Sequence, residues 1–181
     1  MHIEELTVGG LWSHLDALVE AYFLAFSAPP YHETQQDADS FRESLLEIQN
    51  WQGFRCVVAY EDISNRMVGF ACGHSCLPGR WWADMIAQAL GPERTKYWLA
   101  DGFEFVELAV IPSHQRRGIG GRLHDRLLTH LPHRTAVLST MAGNGPAIAL
   151  YQQRGWQPLI PEFTYPHGRV DIIWGRALRL F

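Results

Sequence analysis

Apolar positions along this chain switch between two periods. Leu11, Leu15, Leu18, Tyr22 and Phe26 recur at three- to four-residue spacing until Pro29-Pro30, which predicts a long amphipathic helix. Phe41, Leu45, Leu46 and Ile48 predict a second. Ile3 to Val8 reads as a first strand. Phe54 to Tyr60 and Met67 to Leu77 read as two more, joined as a hairpin through the turn-rich Glu61 to Arg66. Phe103 to Ile111 and Ala136 to Ser139 are apolar runs of strand length. Between them Ile119, Leu123, Leu127 and Leu131 form one helical stripe that Pro132 ends, with Arg122 and Arg126 off it. Pro146 suits the first turn of a further helix, where its missing N–H is no loss, and Gly155 suits that helix's end. Thr164-Tyr165 and Val170 to Trp174 predict a closing antiparallel pair around Pro166-His167-Gly168. Alternating strand and helix periods, without internal repeat, low-complexity tract or linker, predict a single α/β domain over residues 1–181.

Residues 79–102 interrupt that rhythm. Trp81 and Trp82 open the segment, Asp84 to Leu90 has the makings of a short helix, and Gly91-Pro92 closes it. A connection of this length is functional or disordered, and its aromatic content argues for order. Two readings of Trp81, Trp82, Tyr97 and Trp98 stay open: they border a substrate or an interface, or they cover an exposed sheet edge.

Composition narrows the class. Of the 181 residues, 47% are apolar, enough for a sizeable core. No apolar run approaches the ~18 residues of a membrane span, and the start Met-His-Ile-Glu-Glu lacks a signal-peptide layout. A soluble, cytoplasmic protein without membrane partners is expected. Cys56, Cys72 and Cys76 are odd in number and contain no Cys-x-x-Cys pair, so buried reduced thiols are expected rather than a disulfide framework or thiolate zinc site. His130-Leu131-Pro132-His133 lacks a third ligand at recognisable spacing, so no metal is assigned.

The net charge of −4 is unevenly spread. The first fifty residues hold nine acidic side chains against Arg42 alone. Between Ser113 and Arg134, five arginines face a single acid, Asp125. The acidic first third disfavours a nucleic-acid partner and is compatible with a cationic one, although exposed helix faces carry similar charge runs.

The arginine-rich segment is also the richest in chemistry. Gln115-Arg116-Arg117-Gly118-Ile119-Gly120-Gly121 follows a strand that stops at Pro112 and opens a helix. Such a junction aims several backbone N–H groups outward, which suits a phosphate anion. The spacing fits neither a Walker loop nor a dinucleotide fingerprint. It does fit Gln/Arg-x-x-Gly-x-Gly/Ala. Downstream, Asn144, Ala147 and Tyr151 stand at the spacing Asn-x-x-Ala-x-x-x-Tyr, followed by Gly155-Trp156. On these residues the chain resembles the GNAT (GCN5-related N-acetyltransferase) superfamily, sharply over residues 103–156 and topologically elsewhere.

The resemblance implies a mixed, mostly antiparallel sheet of about six to seven strands flanked by helices, with a splayed central strand pair. It implies acetyl-CoA as acyl donor, its pyrophosphate held by Gln115, Arg116, Arg117, Gly118, Ile119, Gly120, Gly121 and Arg122. It implies further that Leu108, Ala109 and Val110 pair with the pantetheine arm, that Asn144 and Ala147 contact the cofactor, and that Tyr151 protonates the departing thiolate. Asn144 equally suits a helix cap. The acceptor's base is open among Glu104, Glu107 and His74. Glu104 and Glu107 differ by three positions and face opposite sides of a regular strand. His74, Trp81 and Trp82 are the candidate acceptor contacts.

The expected activity is transfer of an acetyl group to a primary amine, on a small cationic molecule, by direct attack in a ternary complex. A peptide or protein amino terminus or lysine is the alternative acceptor. A non-catalytic coenzyme A or nucleotide sensor is the alternative of another class. Family members often pair as homodimers; two readings of Trp156, Phe163 and the end Leu178 to Phe181 stay open, as an interface or as core.

Overall fold

In the computed structural model, which describes residues 1–178, the periodic stretches form seven strands and six helices. In chain order they are β1 (His2–Leu6), α1 (Val8–Phe26), α2 (Gln35–Ile48), β2 (Arg55–Tyr60), β3 (Met67–Ser75), α3 (Trp81–Leu90), α4 (Pro92–Trp98), β4 (Gly102–Val110), α5 (Ile119–Leu128), β5 (Thr135–Met141), α6 (Gly145–Gln153), β6 (Gln157–Thr164) and β7 (Val170–Ala177). The strands lie in one sheet in the order β1-β2-β3-β4-β5-β7-β6. β1 with β2, β2 with β3, β5 with β7, and β6 with β7 run antiparallel. The Cys76 N–H donates to the Gly102 carbonyl at 2.8 Å and the Ile111 N–H to the Val68 carbonyl at 3.0 Å, so β3 and β4 are antiparallel too. β4 and β5 run parallel, paired from Gly102↔Thr135 to Glu104↔Val137. A parallel pair needs a crossover, and α5 supplies it. This is the expected mixed, mostly antiparallel sheet with a briefly paired central couple.

Several boundaries differ from expectation, each for a local reason. β1 stops at Leu6 rather than Val8 because Thr7 caps α1, its hydroxyl accepting from the Gly10 N–H at 3.1 Å. The second helix starts at Gln35, well before Phe41. Thr34 and Asp37 form a capping box in which the Asp37 carboxylate accepts from the Thr34 N–H at 2.7 Å. Residues 79–102 hold two helices where one was expected. Gly91-Pro92 joins them, since Gly91 takes φ 76° and Pro92 sits in the first turn of α4. α5 ends at Leu128, short of Leu131, with Thr129 already extended. β6 reaches back to Gln157, hidden in the sequence by Pro158 and Pro161. Proline is tolerated there because β6 is the edge strand and its register to β7 shifts twice.

The described residues form two compact units. Unit one comprises Met1–His74 and Val106–His130; unit two comprises Ser75–Phe105 and the chain from Leu131 on. Unit one buries Leu11, Leu15 and Leu18 of α1, Phe41 and Leu45 of α2, Val57, Val58 and Phe70 of the strands, and Ile119, Leu123 and Leu127 of α5. Unit two centres on Ile86, Leu90, Trp98, Val137, Leu159 and Ile173. Trp98 is therefore core, not the surface aromatic the sequence suggested. Trp156 is core as well, 4% exposed, so it offers no dimer surface. Of the proposed C-terminal interface, Arg179 to Phe181 lie outside the described residues. The three cysteines are free and buried, and burial pushes the Cys56 thiol up to about 12. Among the described residues no helix is long and apolar enough to cross a membrane, and no group of three or more His, Cys, Asp or Glu is set to hold a metal ion.

Packing in unit two leaves no room at Gly175. A Cβ there would sit 2.7 Å from the Trp98 ring and 2.8 Å from Leu159. Overpacking of this kind costs ~1–3 kcal/mol. Gly175→Ala is therefore expected to lower unfolding free energy by about that amount in urea denaturation; an unchanged midpoint would contradict the packing.

Candidate active site

In unit one the strand, loop and helix of the anion motif are continuous. Gly69 lets β4 approach β3 closely, since a Cβ there would lie 2.6 Å from the Ala109 carbonyl oxygen. After Val110 the chain makes a short 3-10 turn at Pro112–His114, and the Gln115 side-chain amide reaches back to the Val110 carbonyl at 2.9 Å. That bond closes the loop onto the strand end. Arg116 takes φ 61° and Gly118 φ 76°, two left-handed residues that turn the chain sharply into α5. The first helical bond runs from the Arg122 N–H to the Gly118 carbonyl at 3.1 Å, so the N–H groups of Gly118 to Gly121 precede the ladder. A Cβ at Gly118 would meet nothing within 4 Å, so backbone conformation, not crowding, requires glycine there. Arg116, Arg117 and Arg122 are exposed around this turn. Forward-aimed amides, an open approach and surrounding guanidinium groups fit a diphosphate.

Unit one also gathers an aromatic and acidic cluster that the sequence did not reveal. Tyr22 of α1 stacks on Phe41 of α2 at 4.3 Å and meets Phe26 edge-on at 4.9 Å; Phe26 meets Tyr31 at 4.7 Å. Burial, first, and then the charges of Glu107, Glu33 and Asp37 hold the Tyr22 hydroxyl well above its usual range, and Glu33 hydrogen-bonds to it. Glu107, half-buried on β4, accepts from the Leu108 N–H at 3.0 Å. The capping box placing Asp37 was readable as Thr34-x-x-Asp37; the meeting of Glu107 with residues some seventy positions earlier was not. His74 is 1% exposed, its ring edge-on to Trp51 at 4.6 Å.

Unit two holds the other candidates. Asn144 caps α6, its side-chain oxygen accepting from the Ala147 N–H at 3.3 Å. α6 closes on Gly155 at φ 75°, with the Gly155 N–H on the Gln152 carbonyl and the Trp156 N–H on the Tyr151 carbonyl, a Schellman ending. Tyr151 lies one turn after Ala147 and is 5% exposed, its ring edge-on to Trp156 at 5.7 Å and to Phe105 at 6.3 Å. Trp82 donates its indole N–H to the Tyr165 hydroxyl at 2.9 Å, and that hydroxyl donates to Ser139 at 3.1 Å. Trp81 stacks on Tyr165 at 6.1 Å and stays 64% exposed. Glu104 is buried at the start of β4, and desolvation pushes its carboxyl up to about 8.

The sequence model of the acetyltransferase (GNAT) family matches residues 15–156. The chain belongs to the GNAT acetyltransferase family. A GCN5-like protein acetyltransferase of Mycobacterium tuberculosis is 32% identical over 131 residues, 66% of this chain and 63% of the relative's length. The chain thus spans under two thirds of that curated relative. Among solved structures, the ribosomal-protein-S18-alanine N-acetyltransferase of Escherichia coli superposes with a TM-score of 0.64 at 19% identity, covering 99% of this chain and 95% of that one. An aminoglycoside 6'-N-acetyltransferase complexed with coenzyme A gives 0.63 at 17%, covering 98% and 97%. At such identities these two similarities establish the GNAT fold.

The buried Glu104 has a consequence for stability. Its carboxyl holds a proton in the folded chain up to about pH 8, against an unperturbed value of 4.5. Between those values unfolding releases a proton, so its contribution is full below pH 4.5 and is lost as pH rises through 8. Wild-type stability measured against Glu104→Gln is expected to decline from pH 5 to pH 8. A difference constant over that window would contradict a neutral buried carboxyl.

Proposed function

We propose that this GNAT-family chain transfers an acetyl group from acetyl-CoA to a primary amine on a small cationic molecule, by direct attack with both substrates bound. The observation that carries the reading is the β4–loop–α5 junction of unit one, where amides of a left-handed glycine turn and exposed arginines fit a diphosphate. The bound donor would supply an activated acyl thioester. The N–H groups of Gly118 to Gly121 hold the diphosphate, with Arg116, Arg117 and Arg122 adding charge, and Gln115 fixes the loop. Leu108, Ala109 and Val110 offer backbone groups to the pantetheine arm. Asn144 and Ala147 assist from α6, and Tyr151 delivers the proton that the leaving thiolate needs.

Two features support a cationic acceptor. Glu33, Asp37 and Glu107 concentrate negative charge around Tyr22, and aromatic faces beside carboxylates suit an ammonium group. We assign the base to Glu107, acting directly or through water, because it is half-buried beside Tyr22, whereas Glu104 is enclosed with its carboxyl raised by desolvation to about 8 and His74 is 1% exposed. Trp81 and Trp82 are proposed acceptor contacts in unit two. A peptide or protein amine is the second reading, favoured by the Mycobacterium tuberculosis relative described as a protein acetyltransferase.

Calorimetry with coenzyme A, followed by thiol release from acetyl-CoA against polyamines, an aminoglycoside, amino-acid derivatives and a lysine peptide, tests the proposal. Binding and turnover with the small amines are expected. Turnover with the peptide alone would favour the second reading, and binding without turnover would leave a sensor. Tyr151→Phe is expected to lower kcat about 10²-fold, the scale of a lost proton transfer, with little change in the KM for acetyl-CoA. Unchanged turnover would remove Tyr151 from the mechanism.

A further inference from the structure

Arg55 opens β2 and spends all three arms of its guanidinium. Nε and Nη2 donate to the two carboxylate oxygens of Glu5 on β1, each at 2.8 Å. Nη1 donates to the carbonyls of Leu127 at 3.0 Å and Thr129 at 2.8 Å. Those carbonyls belong to the C-terminal end of α5, the helix whose first turn carries the proposed diphosphate amides. Helix ends leave carbonyls without intrahelical partners, and many helices satisfy them through a left-handed glycine. α5 has no glycine there: the cap residue Thr129 is extended at φ −67° and ψ 130°, its N–H donates to the Arg126 carbonyl, and the left-handed residue after it is His130 at φ 58°. The donors to the Leu127 and Thr129 carbonyls come from the Arg55 guanidinium. Its side chain is 18% exposed, and its hydrogen bonds to Glu5 hold that carboxyl below the usual range, so the fork is a fixed ionic pair.

α5 is only ten residues long. A helix that short is marginal by itself and takes its position from what it is fastened to. One end leaves the Gly118 turn; the other is bolted to β1 and β2. We propose that Arg55 is a positioning residue for the acyl donor: by capping α5 at Leu127 and Thr129 it fixes the direction of the amides at Gly118 to Gly121, and so sets affinity for the diphosphate without touching it. This rests on the reading of that loop as the coenzyme A site.

The test compares Arg55→Met, Arg55→Lys, Glu5→Gln and the exchanged pair Glu5→Arg/Arg55→Glu, with Gly175→Ala as a destabilised control. Coenzyme A binding is measured by calorimetry, and KM and kcat by thiol release. Small misplacement of binding groups carries large rate and affinity effects, so Arg55→Met is expected to weaken coenzyme A and raise the KM for acetyl-CoA roughly tenfold, with kcat within about twofold. Arg55→Lys, which keeps donors but loses the fork, should fall between; it also answers the question if Arg55→Met fails to fold. Glu5→Gln leaves the carbonyl bonds in place and should bind nearly as wild type. The exchanged pair keeps the ion pair but offers the carbonyls no donor from position 55, and should bind as weakly as Arg55→Met. Wild-type affinity in Arg55→Met or Arg55→Lys, restored affinity in the exchanged pair, or equal weakening in Gly175→Ala would overturn the proposal. Absence of coenzyme A binding by the wild-type protein would instead overturn the reading of the loop.

Discussion

The constraint on which unit one depends is the left-handed turn at Gly118. A strand can pass directly into a helix only if the chain reverses sharply, and here Arg116 and Gly118 both adopt positive φ to do it. The turn leaves amides ahead of the helical ladder, a concentration of partial positive charge that needs an anion or water to satisfy it. The surroundings hold this junction in place. Gln115 ties the loop to Val110, Gly69 admits the backbone of Ala109 at close range, and the Ile111 amide binds Val68. An anion site assembled from backbone is only as good as the fixity of that backbone, which is why uncharged contacts behind the loop matter as much as arginines in front of it.

Charge is sorted in unit one along the same lines. Some of the acidic N-terminal residues are consumed in ion pairs, Asp16 with Arg42, Glu20 with Arg66 and Glu5 with Arg55. Exposed pairs of the first two kinds contribute little to stability. Glu33, Asp37 and Glu107 all act on one half-buried tyrosine, Tyr22. Arginine at the loop and carboxylate at Tyr22 are the charges that the proposed anionic donor and the proposed cationic acceptor would each meet.

Much of this was legible in the sequence because it is local. The glycines and glutamine of the loop, Pro146 and Gly155 at the two ends of α6, and the helical stripe of α1 each signal through spacing alone. What escaped was non-local or masked. β6 was obscured by two prolines that an edge strand tolerates, and α4 by a Gly91-Pro92 pair that reads as a stop but serves as a start. Trp98 resembled a surface aromatic because its environment comes from residues as distant as Gly175, whose missing side chain makes room for the indole. The role of Arg55 and the approach of Glu107 to Tyr22 depend on pairings across fifty or more positions, which no window of the sequence contains.

Glu104 and Glu107 show how finely a fold can separate like groups. They stand three residues apart on β4, with the same side chain and the same ordinary acidity. Glu104 is enclosed and carries its proton to about pH 8; Glu107 lies half-buried, accepts from the Leu108 amide, and presents its charge to Tyr22. A hydrogen bond from an amide favours an ionised carboxylate, whereas desolvation disfavours it. Three positions along one strand thus separate two very different surroundings: Glu104 lies where β4 is buried on both faces, between Phe103 and Phe105, and Glu107 lies where the strand is half-buried beside Tyr22.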